Sequence, residues 1–96
     1  MNITYTASRI AGYVLFPPSI TLTDQGITIK APSLFNQQRR MIPYHAIGFV
    51  DIYNPIVGFS SITISAYGED ITLNGFLSAE VEHMKRIIEQ GGPSSW

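Results

Sequence analysis

Two histidines, one adjacent arginine pair and a few turn carboxylates are the residues of this chain with chemistry to offer, and their spacing decides how much they can do. His45 sits in the Pro43-Tyr44-His45-Ala46 corner, and His83 stands beside Glu82 in a helix-patterned segment. A metal site needs three or four converging ligands. With no cysteine in the chain only acids are left to complete one, and no HxxxH-type spacing brings the histidines together, so both read as structural or exposed. Asp24, Glu69 and Asp70 fall in turn sequences, where carboxylates cap backbone amides. General acid–base catalysis would need a pair of acids held in a pocket with shifted pKa values. The serines lack a nucleophile-elbow motif, and no glycine-rich phosphate loop is present. The lack of cysteine also removes thiol nucleophiles, thiolate metal sites and disulfides. The expectation is a non-enzymatic protein with no cofactor and no metal.

Six Lys plus Arg against seven Asp plus Glu leave a net charge of −1. Neutralising phosphates takes a clustered basic face, which this composition does not supply, so nucleic acid is not an expected partner. Arg39-Arg40 is the basic pair of the strand region. Neighbours on a strand point to opposite faces, so the two guanidiniums do not aim at one phosphate unless a bulge re-aims one of them. Charge at that position is suited to protecting a sheet edge. With Lys30, Arg39 and Arg40 are the candidate contacts for an anion or lipid headgroup.

The elements that must position these residues are legible from hydrophobic periodicity. At 96 residues the chain has room for one domain, 1–92, followed by a tail at 93–96. Ile10 to Phe16 is an apolar run of seven, stopped by Pro17-Pro18. It falls short of the ~20 residues that span a bilayer and lacks a small-residue cleavage site after it. A cytoplasmic location, peripheral at the membrane at most, is the expectation. Gly12 to Phe16 reads as a first strand and Ser19 to Thr23 as a second, with Ile20 and Leu22 on one face. Asp24-Gln25-Gly26 turns the chain into Ile27 to Ala31, with Gly26 free to take a positive φ. Gln37 to Ile42 is a polar strand ending at Pro43, and Ala46 to Tyr53 a strongly apolar one. Ser61 to Ala66 alternates cleanly, and Tyr67-Gly68-Glu69 leads into Asp70 to Asn74. Ser78 to Gln90 is a helix with Ser78 as N-cap, Glu80 and Glu82 in its first turns, and Leu77, Val81, Met84 and Ile88 as one stripe widened by Ile87. Gly91-Gly92-Pro93 ends it. Seven strands and one terminal helix make a mainly β fold.

The segments "ITLTDQGITIK", "RRMIPYHAIGFVDI" and "NPIVGFSSITISAYGEDITLNG", followed by the helix, resemble the bacterial pleckstrin-homology-like domains. In order they match an "lT..gi.i" hairpin, an arginine before "IP...I..V", a loop with an apolar residue before glycine, and a "G...i.l.g" hairpin. The resemblance runs from Ile20 to about Gln90 and is carried by turn and core residues. It implies a PH-like barrel of two orthogonal antiparallel sheets with one end plugged by the C-terminal helix. Eukaryotic PH domains that hold phosphoinositides use basic residues around the loop between the first two strands. The corresponding Phe16-Pro17-Pro18-Ser19 has neither lysine nor arginine. Many of the bacterial proteins carry transmembrane helices beside the domain, and some form oligomeric rings.

Two segments carry more apolar residues than half-exposed positions require. In Ile47 to Tyr53 both faces are apolar except for Asp51, and the following Pro55-Ile56-Val57-Gly58-Phe59 is an apolar loop. Either the loop folds over the end of the domain, or strand and loop form an exposed contact patch. Phe49, Ile52, Tyr53, Ile56, Val57 and Phe59 are the candidate patch. The expected function is a PH-like interaction module that self-associates or binds a protein partner. The alternative is a peripheral membrane module, with Ile56, Val57 and Phe59 inserted and Lys30, Arg39 or Arg40 on anionic headgroups.

Overall fold

Alternation with period two places one side of each strand in a core and the other in solvent, and the backbone follows it closely. The computed structural model describes residues 2–8, 17–30 and 39–93. Seven strands are present among these: β1 (Ile3–Thr6), β2 (Ser19–Leu22), β3 (Gly26–Lys30), β4 (Arg39–Pro43), β5 (Ile47–Tyr53), β6 (Ser60–Ala66) and β7 (Glu69–Phe76). A 3-10 turn, Tyr44–Ala46, joins β4 to β5, and one helix, α1 (Ser78–Gln90), follows β7. The strands form two antiparallel sheets, ordered β1-β2-β3-β4 and β5-β6-β7. The fold is therefore mainly β with a C-terminal helix, as the periodicity predicts. No continuous ladder joins the described strands of the two sheets into a closed barrel. Among the described residues a backbone bond links them at a corner, the Ser8 amide donating to the Gly75 carbonyl at 2.8 Å.

The strand expected at Gly12–Phe16 lies outside the described residues, as do Ala31, residues 37–38 of the expected fourth strand and the last three residues of the tail. The first described strand is Ile3–Thr6, where Ile3 and Tyr5 alternate with Thr4 and Thr6. Register fixes the rest. Ile20 stands opposite Ile29, and Leu22 opposite Ile27, all four of them buried. Ile29 is in turn opposite Arg40, and Ile27 opposite Ile42. In the second sheet Val50, Ile64 and Ile71 align, as do Ile52, Ile62 and Leu73. Pro43 is the last residue of β4, an edge strand, where a missing amide donor disturbs no ladder.

Gly26 corrects a sequence expectation. It lies within β3 and has no positive φ. A Cβ there would come within 2.4 Å of the Ile42 carbonyl oxygen and 2.8 Å of Pro43 Cα, so close approach of β4 demands glycine. The turn before it is organised by Thr23, whose hydroxyl accepts the amides of Gln25 and Gly26, each at 3.2 Å.

The helix closes the core. Val81, Met84, Ile87 and Ile88 are buried in one cluster with the inward residues of both sheets. Burying each such side chain contributes about 1.5–3 kcal/mol, which is what docks the helix. Leu77 departs from the expected stripe. It occupies the N-cap position that the sequence assigns to Ser78, is 60% exposed, and donates its amide to Glu80 Oε1 at 2.9 Å. Gly91 adopts the left-handed C-cap conformation at φ 89°, its amide reaching the Ile87 and Ile88 carbonyls. Tyr5 ties the helix to the first sheet, and Tyr44 ties the 3-10 turn to the β2–β3 turn. The Tyr5 hydroxyl is hydrogen-bonded to His83 Nδ1, and the Tyr44 hydroxyl donates to the Thr23 carbonyl at 2.6 Å beside Gly92.

Candidate interaction surface

β5 turns Val50 inward, with Ile52 half-buried against the core, and turns Phe49, Asp51 and Tyr53 outward. Phe49 is 52% and Tyr53 66% exposed. Across the ladder they face small polar residues, Phe49 opposite Ser65, Asp51 opposite Thr63 and Tyr53 opposite Ser61. Beyond these on β7 stand Asp70, Thr72 and Asn74. The Thr63 and Thr72 hydroxyls are 2.9 Å apart, and Ser61 Oγ donates to Asn74 Oδ1 at 3.0 Å. This outer face is a polar ladder of short side chains with two aromatic rings on its β5 edge.

The loop after β5 continues the apolar character. Ile56 is fully exposed and Val57 86% exposed, whereas Phe59 is half-buried. The buried Ser60 donates its hydroxyl to Asn54 Oδ1, which pins the two ends of the loop together, and Gly58 takes φ 106° at its return. The tip is thus held away from the core by its own neck. Of the six predicted patch residues, Phe49, Tyr53, Ile56 and Val57 are displayed, Ile52 packs against the core, and Phe59 is half-buried in the loop. Alternation along β5 separates Ile52 from Phe49 and Tyr53.

The predicted anion contacts are not brought together. Lys30 is exposed on the Thr28 side of β3, whereas Arg40 occupies an inward register position opposite Ile29. Arg40 Nη1 reaches Glu69 Oε2 of the other sheet at 2.7 Å. The Arg39 side chain lies outside the described residues; its backbone pairs with Lys30. Sequence reasoning did not find the Arg40–Glu69 pair, because it depends on how the two sheets face each other.

The two histidines lie in different elements. His83 is held by Tyr5, with the rings edge-on at 5.8 Å between centroids, and His45 is exposed in the 3-10 turn. Burial raises the Tyr5 hydroxyl pKa above its ordinary value, with Glu80 adding to the effect, and burial with Asp24 does the same for Tyr44. Among the described residues no three or more His, Asp or Glu side chains gather where they could hold a metal ion. A groove of about 430 Å³ runs between β5 and α1, but its titratable groups are engaged: Tyr44 with Thr23, and Glu89 with Lys85 at 3.6 Å. No helix among the described residues is long and apolar enough to cross a membrane. Met41, Tyr67 and Leu77 are also exposed, none of them anticipated as such. For Tyr67 the signal was its place before Gly68 in a two-residue hairpin turn.

The chain was compared with protein-family models, curated proteins and solved structures. It matches none.

Proposed function

We propose that this chain is a PH-like two-sheet domain, helix-plugged at one end, that acts as a non-enzymatic interaction module through the β5 strand and the loop after it. The order of elements supports the fold assignment: four strands, then three, then one helix packed on both sheets, with a backbone bond at the corner. The observation that carries the function is the exposure of four large apolar side chains, Phe49, Tyr53, Ile56 and Val57, along one strand and its loop. Isolated exposed apolar residues are ordinary, whereas a contiguous patch marks a contact site. The contact is with protein, either a second copy or another chain.

The membrane reading has one observation in its favour, the exposed Ile56-Val57 tip. Against it, Lys30 and Arg40 lie on opposite faces of the first sheet, and Arg40 is paired with Glu69. Light scattering beside vesicle co-sedimentation separates the two readings. The expected results are a mass above the 10.6 kDa of one chain and no pelleting with phosphatidylserine or phosphoinositide vesicles at physiological salt. A monomer that pellets with anionic vesicles, and stops doing so after Ile56→Asp, would replace this reading with the membrane one.

A further inference from the structure

The outer face of the second sheet has an internal symmetry that bears on its occupant. Phe49, Asp51 and Tyr53 project outward in turn, so a ring stands on either side of one carboxylate. A two-fold axis lying parallel to the sheet, perpendicular to β5 and passing above Asp51 stacks two copies face to face with Phe49 of one over Tyr53 of the other, and Tyr53 over Phe49. A self-complementary patch is what an isologous dimer requires. The short side chains of Ser61, Thr63 and Ser65 on β6 leave the rings standing above the sheet.

Area favours the same occupant. At their observed exposures the two rings and the Ile56-Val57 tip present on the order of 500 Å² of apolar surface, and a stable interface hides roughly 800 Å² per partner. The polar ladder between and beside them makes up the difference. Edge-to-edge pairing is a poorer use of β5, because its ladder slips between Ile47 and Phe49 and the Ile52 amide is donated to Asp51 Oδ1 at 3.0 Å. Charge then sets the strength. The outward residues of the three strands include Asp51 and Asp70 but no lysine or arginine, so an approaching copy meets like charge near the axis.

We propose that a second copy of this chain docks face to face on the β5-β6-β7 sheet about a two-fold axis near Asp51, and that Asp51 keeps the affinity of this dimer low. The proposal rests on the interaction-module reading and narrows its occupant and geometry.

Sedimentation equilibrium of the full chain tests it, using the wild type, Asp51→Asn, Phe49→Asp and Tyr53→Ser, each checked for folding by circular dichroism. All three substitutions alter exposed side chains, and Tyr53→Ser provides an uncharged disruption should Phe49→Asp not fold. The expected result is a concentration-dependent dimer that Asp51→Asn tightens by about tenfold or more and that Phe49→Asp or Tyr53→Ser loosens by a similar factor. Added salt should tighten the wild type and leave Asp51→Asn nearly unchanged. Monomers for both the wild type and Asp51→Asn at high micromolar concentration overturn the proposal. So does a dimer indifferent to Phe49 and Tyr53, or one that Asp51→Asn weakens. A larger mass that survives every β5 substitution refutes this interface alone, whereas a vesicle-bound monomer refutes the wider reading as well.

Discussion

Tyr67 holds φ at 55° and Gly68 at 76°, and together they join β6 to β7 in a two-residue turn. Two positive φ values in succession are the pattern of a type I′ hairpin, which favours Asn-Gly. A tyrosine in that position carries steric strain between its Cβ and the backbone. Its ring is 64% exposed, so little packing offsets the strain. Tyr67→Asn should therefore stabilise the domain by about 1 kcal/mol, a rise in thermal midpoint of roughly 4–8 °C for a chain of this size. A midpoint that falls instead would mean the ring makes contacts worth more than the strain. The two half-buried tyrosines predict a pH effect with a definite sign. Tyr5 and Tyr44 both have hydroxyl pKa values raised from 10.0, by burial first and then by Glu80 and Asp24 respectively. Above pH 10 the unfolded chain gives up these protons before the folded one does, so the folded state binds more protons and stability falls as pH rises. The full contribution is present below about pH 10 and is lost on titrating through the folded values. Urea midpoints between about pH 8 and pH 11 should decline for the wild type and decline less steeply for the Tyr5→Phe/Tyr44→Phe variant.

At the scale of the element, the helix is the part that the strands cannot do without. Met84 and Ile88 are buried against both sheets, whereas Leu77 lies at the helix start with most of its side chain in solvent. Met84→Ala and Ile88→Ala should each cost about 2–5 kcal/mol, and Leu77→Ser should stay within about 0.5 kcal/mol of the wild type. Denaturant midpoints check all three, and a Leu77 effect as large as that of Met84 would refute the assignment of the buried face. This contrast also shows which features were legible in sequence. Spacing of four, three and four put Val81, Met84 and Ile88 on one stripe. Leu77 fits the same spacing yet falls outside the buried stripe, because spacing alone does not locate a cap. Strands β6 and β7 are recoverable from alternation, since each has an inward row long enough to show the period, and β5 from its apolar run between two turn signals. β1 leaves little signal, being four residues with only Ile3 and Tyr5 alternating, beside a longer apolar run at Ile10 to Phe16. The candidate patch was legible as a conflict, both faces of β5 being apolar, but the choice between Phe49 and Ile52 needed the ladder register. Contacts such as Tyr5 with His83, 78 positions apart, depend on closure of the whole fold and leave no local pattern.

At the scale of the molecule, the two sheets share a single core rather than each having its own. Inward residues of β2, β3 and β4 form one cluster with those of β5, β6 and β7 and with the buried face of α1. Direct ties between the sheets are few among the described residues: the Ser8 to Gly75 backbone bond and the Arg40–Glu69 pair, whose exposed setting makes it worth about 0–1 kcal/mol. Cohesion must therefore come from the shared apolar interior. If α1 undocked alone, Val81, Met84, Ile87 and Ile88 would enter water and the residues they cover would follow, a loss comparable to the whole stability of a small domain. The helix should accordingly have no opening reaction of its own. Native-state hydrogen exchange in low denaturant tests this. Amides in the middle of α1 should exchange with the same free energy and denaturant dependence as the most protected amides of β6, in one cooperative unit with the first sheet. Exchange of the helix at a distinctly lower free energy would show that the sheets persist without it, and would require a second source of cohesion between them.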